Sequence, residues 1–194
     1  MSLYCLDNMV LGWGLKSVAS PGQEGMIDRA RFLLDELARK AATVIVPAPV
    51  LTEFLHNVAV NEKSAFLAMF EKRFIVAPFD ALAAAQADKL WLKVKADPHL
   101  CPKYPGPCVV NGRIPKPVLK YDVQIVAIAM AQKVDAIYSD DPHIRTIAQG
   151  MVPVLDLPEV KEQGELFAAQ PPKLRIVRTA EPMPVPLPVE DDED

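Results

Sequence analysis

The chain has 194 residues, 51% hydrophobic and 24% charged, a balance that excludes a wholly disordered polypeptide and suffices for one domain with a buried core. A formal net charge of −4 argues against a broadly basic nucleic-acid coat. Proline is the outlier, with 19 residues, about twice the ordinary share.

Position matters more than the totals. Six prolines fall within residues 97–117 and six within 171–188. The last five residues, Glu190 to Asp194, are all acidic; without them 20 acids face 21 Lys plus Arg, a remainder of +1. The acidity therefore belongs to the terminus and not to the body. No run of 18 uncharged apolar residues is present, so no membrane span is expected. The first residues lack a basic stretch followed by an apolar run, so no secretory signal is expected. Three cysteines, an odd number, do not make a disulfide framework. A reducing, cytoplasmic setting is the expectation.

In chain order, the apolar run LYCL ends at Asp7-Asn8 and predicts a first strand. Residues 26–40 carry Ile27, Ala30, Leu33, Leu34 and Leu37 at helical spacing, with charged residues between them. Residues 43–46 are β-branched and predict a second strand, stopped by Pro47. Pro49 suits the first turn of a helix over 50–60. Asn61 is a candidate cap for a helix reaching Arg73. Residues 74–77, closed by Pro78, predict a third strand, and Asp80 caps a helix running through Trp91. The stretch 97–117 breaks every periodic pattern and reads as an insertion. Residues 119–132 are apolar nearly all round, the mark of a buried helix. Residues 136–138 predict a fourth strand, 142–149 a short helix closed by Gly150, and 152–155 a fifth strand. Periodicity ends near Leu157.

Strands alternating with helices imply an α/β fold with a parallel sheet covered on both faces. Chemistry in such folds sits beyond the carboxyl ends of the strands. Five acids map there. Asp7 ends the first strand, Glu53 lies in the helix after the second, Asp122 opens the buried helix, and Asp140 and Asp141 end the fourth strand. Each alone is also explained as a cap or a helix-dipole partner. Together they form a set of separated carboxylates that repel unless a cation lies between them. Oxygen ligands without sulfur suit Mg²⁺ or Mn²⁺, and such ions support hydrolysis of a phosphodiester by water.

The segments YCLDNMVL, VPAPVLTEFL, KYDVQIVAIAMAQ and AIYSDDPHI resemble, in order, the four motif regions of the PIN-domain nucleases, the VapC-like ribonucleases among them. The resemblance spans about residues 3–155. It implies a PIN-like three-layer sandwich around a five-stranded, mainly parallel sheet of order 3-2-1-4-5. It implies a divalent-metal-dependent endoribonuclease acting on single-stranded RNA, as a toxin or in RNA processing, with Mg²⁺ or Mn²⁺ as cofactor. An antitoxin protein and a second copy of the chain are its candidate partners. Asp7, Glu53, Asp122 and Asp141 match the four acids, with Asp140 a rival for the fourth place. Ser139 matches the hydroxyl residue two positions before that last acid. Asn8 and Met9 stand where the family commonly has a small hydroxyl residue and then Asn or Ser; Asn8 is the candidate for the supporting polar role. The insertion 97–117 and the extension 158–194, proline-rich and acidic, exceed the compact toxin form. The alternative function is a catalytically inactive PIN-like RNA-binding or scaffold module. A phosphotransfer receiver or phosphatase lacks a nucleophile-plus-lysine signature here.

Lys16, Lys103, Arg113, Lys116, Lys120 and Arg145 are candidate phosphate contacts near the same edge, against the reading of ordinary solvated surface. Trp13 is a candidate base-stacking ring or a core plug, and Asn57, one turn after Glu53, a candidate site neighbour. His99, Cys101 and Cys108 do not have zinc-ligand spacing. The segment from Pro171 onward reads as a solubilising tail or a polyproline-like docking peptide.

Overall fold

The computed structural model describes residues 2–96 and 116–160, with backbone alone for 116–118. The expectations for His99, Cys101, Lys103, Cys108 and Arg113, for the Lys116 side chain and for the tail from residue 161 onward lie outside the described residues.

The described chain runs β1 (Leu3–Leu6), α1 (Asn8–Leu11), a π-helical turn (Gly12–Lys16), α2 (Gly25–Arg39), β2 (Thr43–Pro47) and α3 (Ala48–His56). It continues through a 3₁₀ turn (Val60–Glu62), α4 (Lys63–Arg73), β3 (Ile75–Ala77) and α5 (Ala81–Ala96). After the undescribed segment come α6 (Lys116–Ala131), β4 (Ala136–Tyr138), α7 (Pro142–Ala148) and β5 (Val154–Leu155). The five strands form one sheet in the order β3-β2-β1-β4-β5, and every neighbouring pair is parallel. Tyr4 of β1 pairs with Val44 on one side and Ala136 on the other, so β1 is the central strand.

Central parallel strands lose both faces to helices, which is why Cys5, Leu6, Ile45, Val46 and Ile137 are almost fully buried. Burial also pushes the Cys5 thiol up, away from the thiolate that redox chemistry needs. In α6, residues 125–129 are all buried, and the helix packs against α5, α7, α3 and β2. Phe54 of α3 meets Phe66 and Phe70 edge-on, with ring centroids 5.1 and 5.0 Å away, and Phe70 reaches Phe74. Such pairs each add about 1 kcal/mol to the burial of their area, so α3 is fixed in rotation about its axis.

Several boundaries differ from those read in the sequence. The helix expected over 50–60 ends at His56. A 3₁₀ turn containing Asn61 intervenes, and Glu62, not Asn61, precedes α4, with no side-chain cap. The buried helix begins at Lys116, three residues early, because Pro117 is tolerated in a first turn where its missing N–H has no partner to lose. Pro47 closes β2 from within it. Gly150 ends α7 with φ at +77°, as a left-handed closing residue should.

The pair α1 and π turn has no counterpart in the sequence reading, which assigned no element between Asn8 and residue 26. The turn packs closely on α2: a Cβ on Gly14 would lie 2.6 Å from Leu34 Cδ1, so a larger residue there requires the Leu34 side chain to shift. Trp13 is 3% exposed and belongs to the core beneath the turn. The stacking role is thereby excluded and the core-plug reading holds. At the far end, Leu157 is buried, and the Arg29 guanidinium donates to the Leu157 and Pro158 carbonyl oxygens.

Candidate active site at the carboxyl edge of the sheet

β1 and β4 are adjacent parallel strands, so their carboxyl ends deliver Asp7 and Ser139-Asp140-Asp141 to one place. Asp7 is 4% exposed and Ser139 fully buried. Ser139 Oγ donates to Asp7 Oδ2 at 2.8 Å and accepts from the Asp141 N–H at 3.0 Å. Asp7 Oδ1 accepts from the Asn8 N–H at 2.6 Å, capping α1. One hydroxyl thus ties together the ends of two strands, and both Asp7 oxygens are oriented.

Asp141 caps α7, its Oδ1 accepting from the His143 N–H at 2.7 Å. The His143 ring nitrogen Nδ1 lies 3.3 Å from the same oxygen. Asp122 enters from the second turn of α6 and is 5% exposed. Its Oδ2 is buried with no hydrogen-bond partner, a state found for no other side-chain oxygen or nitrogen among the described residues. One ligand atom each from Asp122, Asp141 and His143 lie within 4.8 Å of one another. Glu53 comes from α3, one residue before the buried Phe54, and is half-buried.

The electrostatics report the same convergence. Burial raises Asp122 to about 7, helped by the charges of Asp141, Asp7 and Glu53. Burial raises Asp7 to about 6; its bonds from Ser139 and Asn8 pull down, while Asp141 and Glu53 push up. Glu53 is raised by burial and by Asp141. Asp7, Glu53 and Asp122 are each raised in part by neighbouring carboxylates, and no cationic side chain offsets that repulsion. That is the arrangement a divalent ion relieves. The set of carboxylate oxygens, one of them orphaned, fits a hard divalent cation.

Of the sequence-derived candidates, Asp7, Glu53, Asp122 and Asp141 come together, with Ser139 and Asn8 beside them. Asp140 is exposed and is not a member of the three-ligand group. Asn8, Thr52, Glu53, His56, Asn57 and Tyr121 line an open cavity of about 310 Å³. Asn8 and Asn57 also line a neighbouring one of about 430 Å³, which runs over the π turn to Lys16 and Gln23. Lys16 Nζ donates to the Phe54 carbonyl at 2.6 Å and sits 4.1 Å over the Phe54 ring, so it braces α3. Arg145 pairs with Asp156 and the Val154 carbonyl. Lys120 is exposed two residues before Asp122. Sequence reasoning missed His143, Thr52 and Tyr121. The first was legible as a metal-type side chain two residues after an acid; the others carry no signal without the fold.

No family model and no curated protein matches the sequence. Solved structures do. VapBC2 from Rickettsia felis, bound to a DNA fragment from its promoter, aligns with TM-score 0.55 and 14% identity over 80% of this chain and 99% of that one. DNA-bound VapBC from Salmonella typhimurium aligns with TM-score 0.52 and 15% identity over 81% and 100%. The chain has a PIN-like fold. At this identity the likeness is one of architecture. In the PIN-like domain, the acids gather beyond the carboxyl ends of β1 and β4, where open parallel sheets place their ligands. Among the described residues, no helix is long and apolar enough to cross a membrane.

Proposed function

We propose that the protein is a divalent-metal-dependent endoribonuclease that hydrolyses phosphodiester bonds of single-stranded RNA, as a toxin or in RNA processing. The observation that carries this reading is the buried, unpartnered Asp122 Oδ2, whose affinity for protons burial and the charges of Asp141, Asp7 and Glu53 raise. A buried oxygen without a partner costs about 1–3 kcal/mol, and a cation removes that cost. The PIN-like fold and the motif resemblance support the nuclease class.

Asp7, Asp122 and Asp141 would hold Mg²⁺ or Mn²⁺, directly or through water, and Glu53 would complete the site or orient the attacking water. A bound ion of this kind supplies a more acidic water and neutralises charge on the phosphate oxygens. Ser139 keeps the Asp7 carboxylate turned toward the cleft. The two cavities meet at Asn8 and Asn57, leaving room for more than one nucleotide along the edge. Tyr121, 42% exposed, offers a ring for a base. Lys120 and Arg145 are the proposed phosphate contacts; Lys16, whose ammonium the Phe54 carbonyl holds, lies at the far end. An antitoxin that covers this cleft and a second copy of the chain are the proposed partners, and the cytoplasm the proposed location.

The test is Mn²⁺-dependent cleavage of single-stranded RNA by wild type, Asp122→Asn and Asp7→Asn. Metal-dependent cleavage lost in both variants supports the reading. Equal rates in all three overturn it. RNA binding without metal-dependent turnover in wild type selects the binding-module alternative.

A further inference from the structure

We propose that His143 is a nitrogen ligand of the metal site, acting with Asp122 and Asp141, and that the site therefore selects Mn²⁺ over Mg²⁺. This rests on the metal-site reading above and adds to it both a ligand and an ion preference.

Three observations carry it. First, the three groups are close enough for one ion to draw them together. Ligands on one octahedral cation with bonds of about 2.1 Å sit about 3 Å apart when adjacent and about 4.2 Å apart when opposite. The Asp122, Asp141 and His143 ligand atoms fall within 4.8 Å of one another, and the Asp141 Oδ1 to His143 Nδ1 distance of 3.3 Å is an adjacent-ligand spacing. Second, the group contains the unpartnered carboxylate. Asp122 is 95% buried by its 5% exposure, and its free Oδ2 has no donor to satisfy it. Third, the histidine is held in place but left open. Pro142 fixes the backbone between the two residues, and the His143 N–H is bound by Asp141. The His143 side chain is 37% exposed, so water and a phosphate oxygen retain access to an ion held beside it.

Ligand chemistry sets the preference. Mg²⁺ takes oxygen ligands and keeps its waters, whereas imidazole suits first-row transition ions. Replacing one oxygen position by a ring nitrogen therefore favours Mn²⁺ at this site. Asp7, its two oxygens oriented by Ser139 and Asn8, would join this trio from the end of β1.

The experiment uses the full chain stripped of metal by chelation. Mn²⁺ is titrated and followed by electron paramagnetic resonance, with pulsed measurements for directly bonded ¹⁴N and Mg²⁺ added in competition. Wild type should bind one tight Mn²⁺ with a ¹⁴N coupling. His143→Gln should lose that coupling and bind Mn²⁺ about tenfold or more weakly, with Mg²⁺ affinity nearly unchanged. A wild-type Mn²⁺ site that is lost in Asp122→Asn yet shows no ¹⁴N coupling overturns the His143 assignment and leaves the metal site standing. A wild-type chain that binds no Mn²⁺, or binds it equally in Asp122→Asn, overturns both. If His143→Gln folds poorly, His56→Gln decides: a wild-type ¹⁴N coupling that survives in it supports His143, and one that is lost in it overturns the assignment.

Discussion

Replacing Asp122 by Asn should make the metal-free protein more stable at neutral and alkaline pH while destroying its metal response. The carboxyl sits near 7 in the folded state, raised first by burial and then by Asp141, Asp7 and Glu53. In the unfolded chain it returns to the ordinary aspartate value near 3.8. A raised folded value means that the folded state keeps a proton the unfolded state has released. The associated stability is full below about pH 4 and is lost as pH rises through about 7. Each pH unit in that window costs about 1.4 kcal/mol, so from pH 5 to pH 8 wild type should lose about 3 kcal/mol through this group alone. Asn cannot ionise, so its variant escapes that loss, and its amide N–H can donate to a neighbouring carboxylate. For a domain of this size, 1 kcal/mol moves Tm by about 2–4 °C, so the advantage of the variant should grow by roughly 6–12 °C between pH 5 and pH 8. Chemical and thermal denaturation in EDTA across that range measure it. Adding Mn²⁺ at about 100 times its Kd should raise wild type by about 2.7 kcal/mol and leave the variant unmoved. A variant-to-wild-type difference that stays flat with pH, or a variant that gains as much from Mn²⁺, would refute the claim that Asp122 is an uncompensated buried acid at a cation site.

Two further substitutions probe the supports. Ser139→Ala removes the hydroxyl that serves both Asp7 Oδ2 and the Asp141 N–H, so denaturation should show a loss of about 2–3 kcal/mol; a loss below about 0.5 kcal/mol would show that the two strand ends do not depend on it. Lys16→Met keeps the apolar stem but removes the ammonium from the Phe54 carbonyl and ring, which should cost about 1–2 kcal/mol and loosen the α3 turn carrying Glu53; hydrogen exchange at residues 53–57 unchanged from wild type would exclude the brace.

What the sequence made legible follows from where its signals are local. The order of strands and helices came through because β-branched runs and apolar periodicity are set within each element. The order of the sheet came only through the family resemblance. Asp7, Glu53, Asp122 and Asp141 were legible as a set because parallel strands carry successive loops to one edge, which makes sequence order a guide to space. The features not legible are those that depend on a neighbour far along the chain. The helical turn at Gly12-Trp13-Gly14 carries no local signal; its close approach to Leu34 of α2, 20 residues on from Gly14, shows only in the fold. Lys16 reads as free surface charge until the Phe54 carbonyl, 38 residues away, takes its ammonium. Asp140 and Asp141 are chemically the same in the sequence. Ser139 separates them, because its oxygen binds the Asp141 N–H and Asp141 Oδ1 then caps α7, while Asp140 is left facing solvent. The same capping bond brings the His143 ring beside the acids. A residue that propensity treats as an ordinary position in a short helix is thereby set next to an unpartnered buried oxygen. At this site the caps that stabilise the helices and the groups proposed to hold an ion are the same carboxylates, so capping by Asp7 and Asp141 does not compete with the proposed role.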